Sequence, residues 1–128
     1  VYRKENVFIS GAEHIPPGYM QVPGQMAELI KWYRGDAQNL HAVERAAILH
    51  SQFVKIHPFV DGNGRTARLL LNLELMKDGY VPIVIKKEER LTYYNALDVS
   101  HMNGEHSVFI KFVAQILDDT LDFYNKYI

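Results

Sequence analysis

Cysteine is missing altogether, which rules out a disulfide scaffold, a thiolate metal site and a cysteine nucleophile but leaves the compartment open. An excess of either charge is missing too. Fourteen basic residues stand against fifteen acidic ones, for a net charge of −1. No overall basic field points to nucleic acid or a membrane surface, so any phosphate chemistry must depend on local placement of charge. No apolar run approaches a membrane span and no signal peptide is visible, which makes cytoplasm the default expectation. Repeats and low-complexity stretches are absent. What remains is 128 residues, 48% apolar and 23% charged, enough for one globular domain with a core that needs no disulfide or structural metal. The chain opens at Val1 without a methionine and enters a strand-like segment almost at once, which reads as a piece of a longer polypeptide.

Along the chain, Asn6-Val7-Phe8-Ile9, Ser10-Gly11 and Glu13-His14-Ile15-Pro16-Pro17 predict a small β-hairpin that the prolines keep from being a central strand. Met26, Leu29, Ile30 and Tyr33 have helical spacing from Gly24 to Tyr33, and Gly35-Asp36 ends that element. A second helix is predicted over Ala42 to Ile56, with Val43, Ala46, Ala47, His50, Phe53 and Val54 on one face; Pro58 breaks it and leaves His57 at its end. A third runs from about Asn63 to Lys77 and stops at Asp78-Gly79. It is apolar nearly all round from Leu69 to Met76, the pattern of a helix in the middle of a bundle. Val81 to Ile85 reads as a brief extended piece, Glu88 to Ser100 as a fourth helix, and Val108 to Tyr124 as a fifth capped by Ser107. Trp32 is expected in the core, and His41 and His50 as packed, hydrogen-bonded histidines. The expected fold is mostly α, a compact bundle with a hairpin at its edge.

The chemistry concentrates in His57 to Arg68. Gly62-Asn63-Gly64 permits positive φ and close approach of backbone to ligand, an anion-binding nest opening onto a helix N-terminus. Arg65 and Arg68 project from one helical face and can fork onto phosphate oxygens. Asp61 is a hard oxygen ligand suited to a Mg²⁺ that bridges phosphates. His57 titrates near neutrality and can act as general base on an attacking hydroxyl. Phe59 would plug into the core and hold the loop rigid, since such a site depends on positioning and electrostatics. Each residue taken singly has a plainer reading. A histidine before proline is usually a helix-end residue, Asp-Gly-Asn-Gly is usually a turn or a poor calcium-loop mimic, and arginines at i and i+3 usually form a solvated face. Their order and spacing ahead of an apolar helix make the set strong.

The segment resembles the signature of Fic-domain proteins, His-Pro-Phe-x-(Asp/Glu)-Gly-Asn-Gly-Arg-x-x-Arg, with every fixed position filled. The likeness extends to Asn39-Leu40-His41, Arg45 to His50, Leu69 to Tyr80, Arg90 to Tyr94, Phe109 to Phe112 and the upstream Val7-Phe8-Ile9 and His14 to Pro17. It therefore covers nearly the whole chain, 1–128, as one Fic domain. It is strongest to the branch of the animal endoplasmic-reticulum enzyme and its bacterial relatives. The resemblance implies a Fic-type bundle with a flap at about 6–17 beside the active site, and transfer of AMP from ATP to a Ser, Thr or Tyr hydroxyl of a target protein with release of pyrophosphate. His57 would take the hydroxyl proton and Asp61 would hold Mg²⁺ (or Mn²⁺). Gly62, Asn63 and Gly64 would cradle the α-phosphate, Arg65 would bind the departing phosphates and Arg68 would place the γ-phosphate; Thr66 and Ala67 complete the nucleotide-binding stretch. Gly64 stands where the Doc branch carries lysine and transfers the terminal phosphate, so glycine favours nucleotidyl transfer.

The resemblance further implies that Ile9, Ser10, Gly11 and His14 belong to a flap whose strand edge pairs with an extended target segment. It places Tyr93 and Tyr94 at the adenine pocket, one of them necessarily core, and His101 at a nucleotide-contacting position. Many relatives carry an inhibitory glutamate in the pattern (Ser/Thr)-x-x-x-Glu-(Gly/Asn), paired to the second signature arginine, here Arg68. No Ser or Thr of this sequence begins that pattern, so the inhibitory helix is expected on a segment N-terminal to the flap or on a separate chain. Alternatives are removal of AMP at the same site, transfer of another nucleotide or phosphate-linked group, and a catalytically silent interaction module.

Overall fold

The computed structural model describes residues 1–127. Five helices carry the architecture: α1 (Val22–Arg34), α2 (Ala42–Ile56), α3 (Asn63–Lys77), α4 (Arg90–Asn103) and α5 (Ser107–Tyr127), with single 3-10 turns at Tyr19–Gln21, Asp36–Asn39 and Lys87–Glu89. The fold is mostly α, and no strand occurs among the described residues. None of their helices is long and apolar enough to cross a membrane.

The centre of the bundle is α2, not α3. Ten of its fifteen residues are buried, among them Ala46 and Ala47 with no exposed surface, small side chains that let neighbouring helices approach closely. Its Val43, Ala46 and Ala47 join Leu71, Leu75, Leu97, Phe109 and Val113 in one core cluster. On its other flank, Leu49, Phe53 and Ile56 join Val22, Met26 and Leu29 of α1 in a second. The leucine run on α3 misleads because only one side of it is covered: Leu69, Leu73 and Met76 are each more than half exposed.

A buried ionic group fixes the register of α2 on α3. Arg45 Nε donates to Glu74 Oε1 at 2.8 Å and its Nη2 to Asp78 Oδ2 at 3.0 Å. Tyr33 of α1 donates its hydroxyl to the other Glu74 oxygen at 2.6 Å. Burial alone would raise the Glu74 carboxyl, but the hydrogen bonds from Tyr33 and Arg45 outweigh it and hold it below its ordinary value. Helix α3 ends as its sequence promised: Gly79 takes φ 89°, and Tyr80 and Gly79 N–H groups return to Leu75 and Met76 carbonyls at 3.0 Å, a Schellman closure.

The hairpin expected over 6–17 does not form. A tight turn is present, with Ala12 N–H donating to Ile9 O at 3.2 Å and Gly11 at φ 81°, but no ladder follows it. The two arms are claimed by other partners: Asn6 Oδ1 accepts the Tyr19 N–H, the Pro17 carbonyl accepts from Arg3, and His14 Nε2–H donates to the Lys55 carbonyl. Pro16 and Pro17 have no N–H to offer a neighbouring strand. The extended piece after α3 likewise finds no strand; Asn72 brackets Ile83 by accepting its N–H at 2.8 Å and donating to its carbonyl at 3.1 Å. Trp32 is half-buried rather than core, and His41 is exposed, where its Nδ1 caps α2 by accepting the Val43 N–H at 3.1 Å. At α5 it is the Glu105 carboxylate, not the Ser107 hydroxyl, that accepts the first free N–H, that of Ser107.

Candidate active site

The loop between α2 and α3 turns twice through left-handed backbone. Pro58 bars the helical conformation to the residue before it, and His57 leaves α2 at φ 52°, ψ 60°. Gly62 then enters α3 at φ 83°. Directly after it, Asn63 is 4% exposed and staples the loop, its side chain accepting the Phe59 N–H at 2.9 Å and donating to the Phe59 carbonyl at 2.7 Å. The Asn63 amide thus spends its oxygen and one N–H on its own loop, and its backbone N–H is left for a ligand. Gly62 N–H is taken by the Asp61 carboxylate at 2.9 Å. The first helical bond of α3 runs from Thr66 N–H to Gly62 O at 3.0 Å, so the N–H groups of Asn63, Gly64 and Arg65 precede the ladder and point out of the helix start, where its dipole favours an anion. A Cβ at Gly64 would stand 3.2 Å from Arg68 Nη1. A side chain there would have to displace the guanidinium by a few tenths of an ångström.

A cavity of about 190 Å³ lies beside this start, walled by His57, Asn63, Gly64 and Arg68 on one side, Tyr93, Tyr94 and His101 on another, and Ile9, Ala12 and His14 on a third. Below the roughly 300–1,000 Å³ of pockets that enclose a whole small molecule, it can hold one part of an elongated ligand while the rest lies along the exposed Arg65 and Arg68. Larger hollows exist, one of about 590 Å³ between Gln25, Trp32, Gln52, Lys55 and His106. It lacks the convergence of open backbone donors with a half-buried imidazole that marks the smaller cavity as the candidate site.

That imidazole is His57. Burial first, and the nearby Arg3 guanidinium second, hold it below its ordinary value, so it is neutral near pH 7 and able to accept a proton. Its Nδ1 is buried with no partner, alone in this among the buried side-chain nitrogens and oxygens of the described residues. Nδ1 is shut off from the cavity, whereas Nε2, also without a hydrogen-bond partner, keeps surface and is the nitrogen a substrate can reach. Across the cavity, burial drives His101 down to about 4; the neutral ring donates Nε2–H to the Ser51 carbonyl at 2.9 Å, which leaves Nδ1 as an acceptor. His14 packs edge-on against it with ring centroids 5.1 Å apart. Tyr93 is buried, its hydroxyl donating to His50 Nε2 at 2.7 Å while His50 Nδ1–H donates to the Ala67 carbonyl at 2.9 Å. Tyr94 stands half exposed. The adjacent tyrosines thus divide into one core residue and one on the open wall.

Several residues of the signature are not brought to the cavity. Asp61 is exposed and lines a neighbouring hollow with Tyr2 to Glu5. Thr66 faces an apolar groove with Leu70, and Ala67 is fully buried. Ser10 and Gly11 form the turn above the wall without lining it. The structure adds Asp98 and Leu97 to the wall. Tyr94, Leu97, Asp98 and His101 follow the i, i+3, i+4, i+7 spacing of one helical face, a signal the sequence already contained.

A model of the Fic/DOC family matches residues 1–75. The chain is similar to the protein adenylyltransferase Fic of Drosophila mojavensis, with 43% identity over 96% of this chain and 24% of that protein. Among solved structures it is similar to Fic-1 (residues 134–508) of C. elegans, with TM-score 0.81 and 35% identity over 98% of this chain and 36% of that one. A Fic family protein of Desulfovibrio desulfuricans matches with TM-score 0.86 and 30% identity over 98% of this chain and 40% of that one. The chain spans about a quarter of the length of the curated relatives it matches.

Proposed function

The chain belongs to the Fic/DOC family, and from that premise we propose that it is a protein adenylyltransferase, moving AMP from ATP to a hydroxyl side chain of a target protein. The observation that carries the reading is the half-buried His57 imidazole, in one wall with Arg68 and the open start of α3. His57 takes the proton of the attacking hydroxyl, the hydroxyl oxygen bonds to the α-phosphorus, and the bond from that phosphorus to the β-bridging oxygen breaks as pyrophosphate leaves. Charge that builds on the α-phosphate oxygens is met by the N–H groups of Asn63, Gly64 and Arg65, donors fixed in place before the reaction begins. Arg65 and Arg68 fork onto the remaining phosphates. Tyr94 and His101 line the cavity and would receive the base, where the His101 Nδ1 acceptor suits an exocyclic amine.

Among the described residues no group of three or more His, Asp or Glu gathers to hold a metal. The donor set fits a hard cation that is held chiefly by the nucleotide: Asp61 has one oxygen bonded to Gly62 N–H and the other free. Asp61 would hold Mg²⁺, which supplies charge neutralisation on the phosphates. The segment Val7 to Ser10 keeps its N–H groups out of any backbone bond, and its exposed Phe8 offers a target peptide an edge to lie along. Arg68 has no carboxylate partner among the described residues; an inhibitory glutamate would have to reach it from another segment or chain.

Incubation with ATP labelled at the α- or γ-phosphorus, with Mg²⁺, tests the reading. Protein-bound α label that vanishes in His57→Ala is expected. Protein-bound γ label would mean terminal phosphate transfer, and no label from either position would reject group transfer.

A further inference from the structure

Arg3 is 3% exposed, yet no carboxylate pairs with it among the described residues. A buried cation without a counter-ion is tolerated only where fixed dipoles replace its water. Here they are four carbonyl groups from three stretches of chain. Nη1 donates to Glu5 O at 2.9 Å, Nη2 to Pro17 O at 2.6 Å and to Ile56 O at 3.3 Å, and Nε to His57 O at 2.7 Å. The Arg3 backbone N–H adds a bond to Pro58 O at 2.8 Å. Ile56 and His57 carry the last carbonyls of α2, at the negative end of its dipole, so the charge is well placed.

Nothing in the core requires this arrangement. A helix C-terminus can be closed by water or by a glycine, whereas this one places a histidine in a left-handed conformation, which non-glycine residues rarely adopt and which persists only where neighbours enforce it. Pro58 on its own would press His57 towards extended backbone. The bond from Arg3 Nε to the His57 carbonyl sits on the peptide that such a change would rotate. Its partner bond to Pro17 fixes the root of the segment whose Ile9, Ala12 and His14 form the facing wall.

We propose that Arg3 is the positioning residue of the base: it holds the His57 peptide left-handed so that the imidazole stands in the cavity wall, and it sets the distance from that imidazole to the segment over which a target hydroxyl arrives. This rests on reading His57 as the proton acceptor. The guanidinium charge acts in the same sense as burial, favouring the neutral ring. The other charged or titratable groups lining the cavity are His14, Arg68, Tyr93, Tyr94, Asp98 and His101. None of these has a side-chain hydrogen bond to the His57 backbone; Arg3, which lies outside the cavity lining, does.

Arg3→Gln removes the charge and most of the donors; Arg3→Lys keeps the charge but has one ammonium where four carbonyls in three segments wait. Transfer kinetics, thermal melting and an NMR titration of the His57 ring are measured on wild type and both variants. The ring titration needs no turnover, so it tests the positioning claim even if adenylyl transfer itself is refuted by the labelled-ATP experiment. In folded variants, kcat is expected to fall on the order of 100-fold with KM for ATP held within about two-fold. The His57 ring should titrate closer to its ordinary value in both variants, since burial, the larger cause of the depression, is lessened when the ring leaves the wall. Should Arg3→Gln not fold, Arg3→Lys decides alone through its kcat. Wild-type kcat in a folded variant, a loss confined to KM for ATP, or a ring titration unmoved in Arg3→Gln would each overturn the proposal and leave Arg3 a structural clamp.

Discussion

Replacing Gly64 with alanine separates the stability of the phosphate cradle from its chemistry. Gly64 is the second residue of α3 and is not among the glycines at positive φ, so an alanine meets no backbone strain there. On helix propensity alone the change should stabilise by about 0.5–1 kcal/mol. The new Cβ would lie 3.2 Å from Arg68 Nη1, closer than relaxed contact, and the guanidinium would have to give by a few tenths of an ångström. Arg68 is exposed and can move, so the fold is spared while the alignment of a phosphate-binding group is not. Since a misplacement of about 1 Å can cost 100-fold, a shift of a few tenths, with a methyl group standing over the open N–H groups, should lower transfer about tenfold, or ~1.4 kcal/mol in the barrier. Urea denaturation gives the first quantity, and steady-state transfer from α-labelled ATP gives the second. Undiminished transfer by Gly64→Ala would mean that the start of α3 does not grip the reacting phosphate. A loss of more than about 1 kcal/mol of stability would mean that the backbone at 64 needs glycine after all.

Other perturbations test the scaffold and its titrating groups. Glu74→Gln should cost about 1.5–3 kcal/mol in urea denaturation, because a charge-assisted bond to the buried Arg45 becomes a neutral one while Asp78 still pairs with it. Asn63→Ala strips the Phe59 N–H and carbonyl of their partners, at about 2–3 kcal/mol of stability, and should lower kcat as the loop loosens. Burial holds His50 and His101 near 4, against 6.5 when exposed. Their folded values are depressed, so their stabilising effect is complete above pH 6.5 and is lost as pH falls towards 4. By linkage each should remove about 3 kcal/mol across that window. Melting temperatures that stay flat from pH 6.5 to 4 would contradict the burial assigned to these rings.

The parts of the fold governed by local rules were readable in advance. Helix α2 ends where Pro58 demands, and α3 closes where Asp78-Gly79 permits, because caps and breakers act within a few residues. The division of Tyr93 and Tyr94 between core and open wall follows from helical geometry alone. What escaped prediction was decided at long range. The Leu69–Met76 run looked like the bundle's axis, but hydrophobicity does not tell how many sides a neighbour covers. The alanines of α2 hold the centre because small side chains let helices close up. The hairpin failed for a similar reason: Val7-Phe8-Ile9 has strand chemistry, yet the residues opposite were already committed to Arg3, Tyr19 and Lys55. Asn63 carried a ligand-facing look and turned out to bond its own loop. Arg3 offered no pattern at all, since its meaning lies in carbonyls as many as 54 residues away.

The central claim is that one half-buried, neutral imidazole moves the proton while separate groups hold the nucleotide. Measuring ATP affinity by calorimetry beside single-turnover AMP transfer, for wild type and His57→Ala, addresses it most directly. The account predicts that His57→Ala binds ATP as wild type does and transfers nothing measurable. Transfer that survives the substitution, or affinity that disappears with it, would show that His57 is not the base.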